Sequence, residues 1–317
     1  MTIIRHILLS FFTVLVLYIL GMFVLKTIPY NGKPAIYITN NYYNWKGGDT
    51  YEKYKEFSKT TTYDVVITGS SRAYRGYSPF IFDSAGYNCF NLGTSAQSIK
   101  NTYFIIKHYL NPGNCKLLIV DVFAGAFTKN QLESSSDLVE NLNDPSAAYD
   151  VAIHNKDIRT LNISALRCLT ENDQPYFSKE DYSGKGYSIK DDSLSKKQQH
   201  DFFAGKKIKH KKLEIDEEQV DYFWKIIDLC TERHLKVVFV YSPVSYFYNY
   251  SIHHDFVGKL KPAIEKNELP FYDFSKCDSI NTPYHFYDDS HLNSAGGGIF
   301  NHALIATLKH DNLLSKK

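Results

Sequence analysis

The chain has 317 residues with a formal net charge of +2 and 44% hydrophobic residues. That is enough apolar material for a full core, and too little net charge to point to nucleic acid as a partner. Five scattered cysteines, Cys89, Cys115, Cys168, Cys230 and Cys277, include no C-x-x-C pair, so spacing gives no disulfide framework or zinc site, and no metal or cofactor is expected.

The first element is an uncharged run from Ile7 to Leu25, 19 residues long. As a helix it would span ~28 Å, close to the ~30 Å hydrocarbon core of a bilayer. No small-x-small cleavage site follows, so residues 1–26 read as an uncleaved membrane anchor rather than a removed signal. Arg5 lies on one side, and Lys26 and Lys33 on the other, so basic residues do not fix the orientation. Residues 27–62 are polar and tyrosine-rich, with Asn-Gly and Gly-Gly turn pairs. They read as a stalk ending in one short helix, followed by a domain over 63–317.

Tyr63 to Arg72, YDVVITGSSR, opens that domain. Val65, Val66 and Ile67 form a short β-branched run, the pattern of a strand covered on both faces. Gly69 permits a tight turn, leaving Ser70 and Ser71 at the carboxyl end of the strand, where open α/β sheets hold ligands. The same residues also fit a plain turn with a serine capping the next helix. Tyr87 to Asn91 reads as a second strand, closed by Leu92-Gly93. Thr94 or Ser95 then caps a helix through Leu110, which Asn111-Pro112-Gly113 stops. Leu117 to Val122 is the third strand.

From about 125 to 213 the chain is polar and shows no strand. It reads as an insertion, either a lid over the strand ends or a partly mobile excursion. Lys206, Lys207, Lys209, Lys211 and Lys212 within it form a basic cluster, either a solvated face or a contact for anionic lipid or polymer. A helix resumes at Asp216 with Gln219 three residues on, and Lys236 to Tyr241 is the fourth strand. Phe256 to Asn267 reads as helical despite Pro262, Pro270 to Phe274 as the last strand, and Ser294 to about Leu308 as the last helix. Strand, helix, strand with right-handed crossovers implies a parallel sheet between helical layers.

Asp288 and His291 stand just before the last helix, three residues apart. One turn brings the carboxylate to an imidazole nitrogen and leaves the other nitrogen free as a base for a serine hydroxyl. An ordinary ion pair at a helix start has the same spacing. Metal ligation is the poorer reading, because no H-E-x-x-H accompanies the pair.

Gly69-Ser70-Ser71 after the first strand, Asn91-Leu92-Gly93 after the second and Asp288-x-x-His291 before the last helix resemble the motif blocks of the SGNH (GDSL-like) hydrolase superfamily. The resemblance spans about Tyr63 to Leu308, with 125–213 unmatched. It implies a flavodoxin-like three-layer α/β/α sandwich with a five-stranded parallel sheet. It also implies Ser71 as nucleophile, His291 as base, Asp288 as the residue orienting that base, and the N–H groups of Ser71 and Gly93 as an oxyanion hole. Ser70 and Asn91 would support the site. Two departures stand out: the family's G-D-S is Gly-Ser-Ser here, and the G-x-N-D block after the third strand is missing from Asp121-Val122-Phe123-Ala124-Gly125.

A serine-serine first block on a membrane-anchored domain is similar to the branch containing alginate-acetylation and DltD-like proteins. That likeness implies an extracytoplasmic serine-dependent O-acyltransferase or acyl esterase. Its substrate would be an envelope polysaccharide or acylated glycan, and a membrane-bound O-acyltransferase would be a partner. Two alternatives are a non-catalytic anchored accessory protein that binds a glycan or such a transferase, and an α/β-hydrolase with Gly69-x-Ser71-x-Ala73 as its nucleophile elbow.

Overall fold

The computed structural model describes residues 2–30, 33–38, 46–129, 132–170, 175, 182–206, 214–248 and 250–314. Its centre is β1 (Tyr63–Thr68), buried along its whole length. Side chains alternate across it, so Val66 joins one core while Val65 and Ile67 join the other, as a two-faced parallel strand requires. β2 (Cys89–Asn91) and β3 (Cys115–Asp121) pair in parallel with its two sides, and β4 (Val237–Tyr241) and β5 (Phe271–Asp273) extend the sheet beyond β3. The order β2-β1-β3-β4-β5 is the flavodoxin-like order, with its switch point between β1 and β3, where ligands of such sheets sit.

Helices α3 (Ser71–Gly76), α4 (Pro79–Ser84) and α13 (Ser294–His310) cover one face. Their Ala73, Phe82, Phe300 and Leu304 pack on Val65, Ile67, Ile119 and Val240. On the other face, α5 (Ile99–Tyr109) and α10 (Glu217–Glu232) bring Phe104, Ile105, Phe223 and Ile226 against Val66, Leu118 and Phe239. Each such side chain, fully buried, contributes about 1.5–3 kcal/mol. The three-layer α/β/α sandwich with five parallel strands expected from the sequence is the observed fold.

Several element ends differ from expectation for local reasons. The helix expected from Thr94 or Ser95 starts at Ile99, capped by Ser98, whose hydroxyl accepts Asn101 N–H at 3.2 Å. Thr94 is engaged elsewhere: its N–H donates to Gly69 O at 3.1 Å and its hydroxyl to Gln97 Oε1 at 2.9 Å. The helix α11 (Tyr250–Lys266) starts earlier than expected and contains Pro262.

The stalk expected over 27–62 is corrected in its second half. Helix α2 (Gly48–Glu56) is part of the domain: Tyr54 packs against Tyr109 with ring centres 4.9 Å apart and the rings tilted by 59°, and Phe57 meets Tyr63 and Phe90 at 5.2 Å. Thr50, Lys53, Tyr54 and Phe57 fall on one helical face, and that face is buried.

The 125–213 segment holds α6 (Leu132–Asn141), α7 (Pro145–His154), α8 (Ile158–Thr170) and α9 (Lys196–Phe203). It also holds a short antiparallel hairpin, Tyr182–Gly184 with Tyr187–Ser188, against the expectation of no strand. Of the basic cluster, Lys207, Lys209, Lys211 and Lys212 lie outside the described residues. At the amino terminus α1 (Thr2–Thr27) is a long apolar helix. Its Ile3–Thr27 stretch contains an 18-residue window with a mean hydropathy of 2.6 and is long enough to cross a membrane, while Met22 near its end packs into the domain core.

Candidate active site

The site begins where β1 stops. Gly69 has φ +151, and a Cβ there would lie 2.9 Å from Asp121 Cβ on the neighbouring strand and 3.1 Å from Asp121 O. Only glycine lets the chain leave β1 so close to β3. Ser70 is the N-cap of α3, its hydroxyl accepting Arg72 N–H at 3.3 Å. The capping serine allowed by the sequence is therefore Ser70, and Ser71 falls on the first helical position. There its backbone N–H has no acceptor within the helix.

The hydroxyl of Ser71 lies 2.7 Å from Nε2 of His291, although the two residues are 220 apart in sequence. Nδ1 of the same ring lies 2.8 Å from Asp288 Oδ2, and Asp288 Oδ1 accepts the N–H groups of Ser290 and His291 at 2.8 Å each. Burial pulls the Asp288 carboxyl upward, but the bonds from His291 and from these two N–H groups outweigh it and hold its pKa below the usual carboxylate range. The pair sits in a tight loop rather than a helix start. A bridge between Phe286 and Leu292 closes that loop, and Asn293 caps α13 beyond it. The Tyr287 ring stacks on His291 at 5.4 Å and 10°.

Arg72, next to Ser71, is 3% exposed and ties this loop to the sheet. Its guanidinium donates to Ser290 O at 2.9 Å, and to Ser242 O, Ser242 Oγ and Pro243 O at 2.8 Å each, just past β4. Ser245 Oγ donates to Asp289 O, and Gln198 Nε2 of α9 reaches Asp289 Oδ1 at 3.0 Å. The His291 loop is thus held from three elements. Sequence reading missed all three ties; a charged residue directly after Ser71, on a helix that must pack, was the available signal for Arg72.

The other wall is the turn after β2. Gly93 is confined, for a Cβ there would meet Ala73 Cβ at 2.9 Å and Gly69 O at 3.0 Å. Its N–H, expected to stand open to an oxyanion, instead donates to Asn91 Oδ1 at 2.9 Å. That expectation is corrected: an N–H committed to a side-chain oxygen is not offered to a substrate. Asn91 does support the site, but as a clamp, because its Nδ2 also donates to Ala73 O at 2.9 Å and Tyr77 O at 3.1 Å, which fixes the end of α3. Behind the turn lies Lys53 of α2, fully buried, its ammonium bonded to Gly93 O. Burial lowers its pKa to about 7, against the opposing pull of Asp49 and Asp137. Where the third block would stand, buried Asp121 accepts the Tyr77 hydroxyl at 2.6 Å.

An oxygen nucleophile in hydrogen-bond contact with an imidazole whose far nitrogen rests on a carboxylate is an arrangement suited to proton transfer during acyl transfer. No family model and no curated protein matches the chain. Solved structures do resemble it. They include a GDSL-like lipase from Bacteroides thetaiotaomicron, with 9% identity over 78% of this chain and 88% of that one and a TM-score of 0.40. A lipase/acylhydrolase from Enterococcus faecalis has 10% identity, 80% and 98% coverage and a TM-score of 0.42. An acetylxylan esterase from Geobacillus stearothermophilus has 10% identity, 78% and 95% coverage and a TM-score of 0.39. Such identities describe a likeness of fold alone, and the chemistry of this chain is argued from its own site.

Proposed function

We propose that the chain is a serine-dependent acyl esterase or O-acyltransferase that works through an acyl-Ser71 intermediate. The observation that carries this reading is the 2.7 Å contact between Ser71 Oγ and His291 Nε2. His291 takes the Ser71 proton as Oγ attacks an ester carbonyl, and Asp288 stabilises the imidazolium that forms. The departing alcohol receives that proton. A second hydroxyl, from a sugar or from water, then gives its proton to His291 as its oxygen bonds the acyl carbon; the bond to Ser71 Oγ breaks, and His291 returns the proton to Oγ. Ser71 N–H is one oxyanion donor, and Gly93 N–H joins it only if Asn91 releases it. Losing one such donor typically costs ~10²–10³ in rate, so a slow, specialised enzyme is the expectation.

In this reading α1 anchors the domain as a single-pass helix on the outer side of the cytoplasmic membrane. The acceptor is an envelope polysaccharide or another glycan, and a membrane-bound O-acyltransferase supplies the acyl group. The committed Gly93 N–H favours one other reading, an anchored accessory protein that binds such partners without turnover. Labelling by a serine-reactive phosphonate separates the two. Wild-type protein that labels, with Ser71→Ala that does not, supports the enzyme, whereas equal labelling of both rejects it. Acetate release measured with and without a polysaccharide acceptor then divides transferase from esterase.

A further inference from the structure

We propose that Lys53 is a positioning residue for acyl transfer, its ammonium acting from behind the Gly93 turn to favour the oxyanion formed at Ser71; the inference rests on the acyl-transfer reading above.

Helix α2 grips the turn at two successive carbonyls. Lys53 Nζ donates to Gly93 O, and the Tyr54 hydroxyl donates to Leu92 O at 3.3 Å. On its other side the turn leans on the elements that carry the nucleophile. Thr94 N–H donates to Gly69 O at 3.1 Å, and a Cβ on Gly93 would lie 2.9 Å from Ala73 Cβ. The Lys53 ammonium is also 4.7 Å from the centre of the Tyr74 ring, on α3 three residues after Ser71. Lys53 is 1% exposed, and Gly186 of the hairpin closes over its stem, for a Cβ there would sit 3.2 Å from Lys53 Cε. With water kept out, a charge at this place acts on the site through protein rather than through solvent.

The charged groups facing Lys53 are Asp49 on its own helix, Asp137 on α6 and Arg75 on α3. Tyr74 of α3 also faces it, with a phenol pKa that burial raises. Asp49 accepts Ser188 Oγ and Asp137 accepts Thr50 Oγ1, and a carboxylate keeps its negative charge in such bonds. Loss of the Lys53 proton therefore makes this cluster one unit more negative, which opposes an oxyanion developing beside it. Burial is the largest influence on Lys53 and lowers its pKa to about 7; the two acids pull the other way, and Arg75 adds to the fall. The change of charge thus lies within ordinary working pH. At about 10 Å, one unit charge in protein surroundings is worth about tenfold in an equilibrium.

The test follows the rate of phosphonate labelling of Ser71 in the detergent-solubilised full chain from about pH 5 to about pH 9. The wild-type rate should rise as His291 loses its proton and fall again around pH 7 as Lys53 loses its own. Lys53→Met should lack the falling limb, running about tenfold or more below the wild type near pH 6 and converging toward it near pH 9. Asp49→Asn keeps an acceptor for Ser188 Oγ but withdraws a negative charge that favours the ammonium, so it should move the limb to lower pH.

A wild type without the falling limb, a ratio of wild type to Lys53→Met that is constant with pH, or a limb that Asp49→Asn leaves in place overturns the proposal. A constant ratio is what a merely structural lysine would give. The wild-type and Asp49→Asn profiles decide even if Lys53→Met does not fold. A Ser71 that labels at no pH rejects the acyl-transfer reading and this proposal with it, whereas labelling with a pH-independent ratio rejects the role of Lys53 alone.

Discussion

Replacing Asp288 by Asn isolates what the carboxylate does for His291. Oδ1 accepts the N–H groups of Ser290 and His291 at 2.8 Å each, and an amide oxygen placed there preserves the loop. The other position, 2.8 Å from Nδ1 of His291, then carries an NH₂ group. Two donors would face one another unless the imidazole moves its proton to Nε2. A protonated Nε2, 2.7 Å from Ser71 Oγ, can no longer accept from the hydroxyl. The wrong tautomer costs ~10⁴ in kcat, equivalent to about 5.4 kcal/mol of barrier. Folding loses much less. One charge-assisted hydrogen bond is worth about 1.5–3 kcal/mol when buried, and with the Asp288 side chain 40% exposed, solvent screening reduces that. The assay compares the phosphonate labelling rate and 4-nitrophenyl acetate hydrolysis with urea denaturation of the same samples. A folded Asp288→Asn variant that stays within about tenfold of the wild-type rate would refute the tautomer argument, since so small a loss is far below the ~10⁴ expected.

Other perturbations separate positioning from chemistry. Arg72→Lys cannot reach Ser290 O and the Ser242–Pro243 carbonyls together, so the His291 loop should drift; kcat is expected to fall about 10²-fold with KM little changed, read from initial-rate kinetics. Asn91→Leu takes the side-chain donor from Tyr77 O and the acceptor from Gly93 N–H, while Ala73 O keeps Tyr77 N–H; two buried groups left without these partners should lower the unfolding free energy by about 2–6 kcal/mol in urea. Burial lowers the folded pKa of Lys53 to about 7 from an ordinary 10.5, so the unfolded chain binds more protons between those limits and stability should rise with pH there, by at most ~1.4 kcal/mol per unit. Lys53→Met should flatten that slope in denaturation midpoints taken at several pH values, and a slope unchanged by the substitution would refute the assignment.

The parts of the fold legible in the sequence are those set by contiguous residues. β1 and β4 are apolar runs, and they form strands close to the expected bounds. β2 was overrun at its start because Tyr87 N–H turns back to Phe82 O, so pairing begins only at Cys89. Asp288 and His291 were legible as a pair because three residues in one loop fix their distance. Their meeting with Ser71 rests on the whole sheet and followed only from motif order. The capture of Gly93 N–H by Asn91 was not legible. An Asn two residues upstream can close on that N–H or point away, and the choice is made by the α3 carbonyls that bind its other end. Lys53 did leave a trace, because it shares a helical face with Thr50, Tyr54 and Phe57, where an exposed lysine does not belong.

The segment read as an unmatched insertion is where the sequence and the site part most clearly. Lys185 O of its hairpin accepts Asn91 N–H at 3.0 Å, and Gly186 packs so close to Asn91 O that a Cβ would sit 1.7 Å from it. Further along, Lys190 O accepts Ser294 N–H at 2.7 Å, Asp192 O accepts Asn293 Nδ2 at 3.2 Å, and Gln198 holds Asp289. One stretch, 185–198, therefore touches both walls of the site: the Asn91–Gly93 turn and the loop that carries Asp288 and His291. A lid hinged clear of the strand ends would not spread its hydrogen bonds over both walls. The α3 carbonyls orient the Asn91 side chain that holds Gly93 N–H, and Lys185 and Gly186 pin the backbone from which it projects. The segment read as an insertion is thus part of the framework that fixes both walls, which is why its hydrogen bonds reach Asn91 on one side and the Asp288–His291 loop on the other.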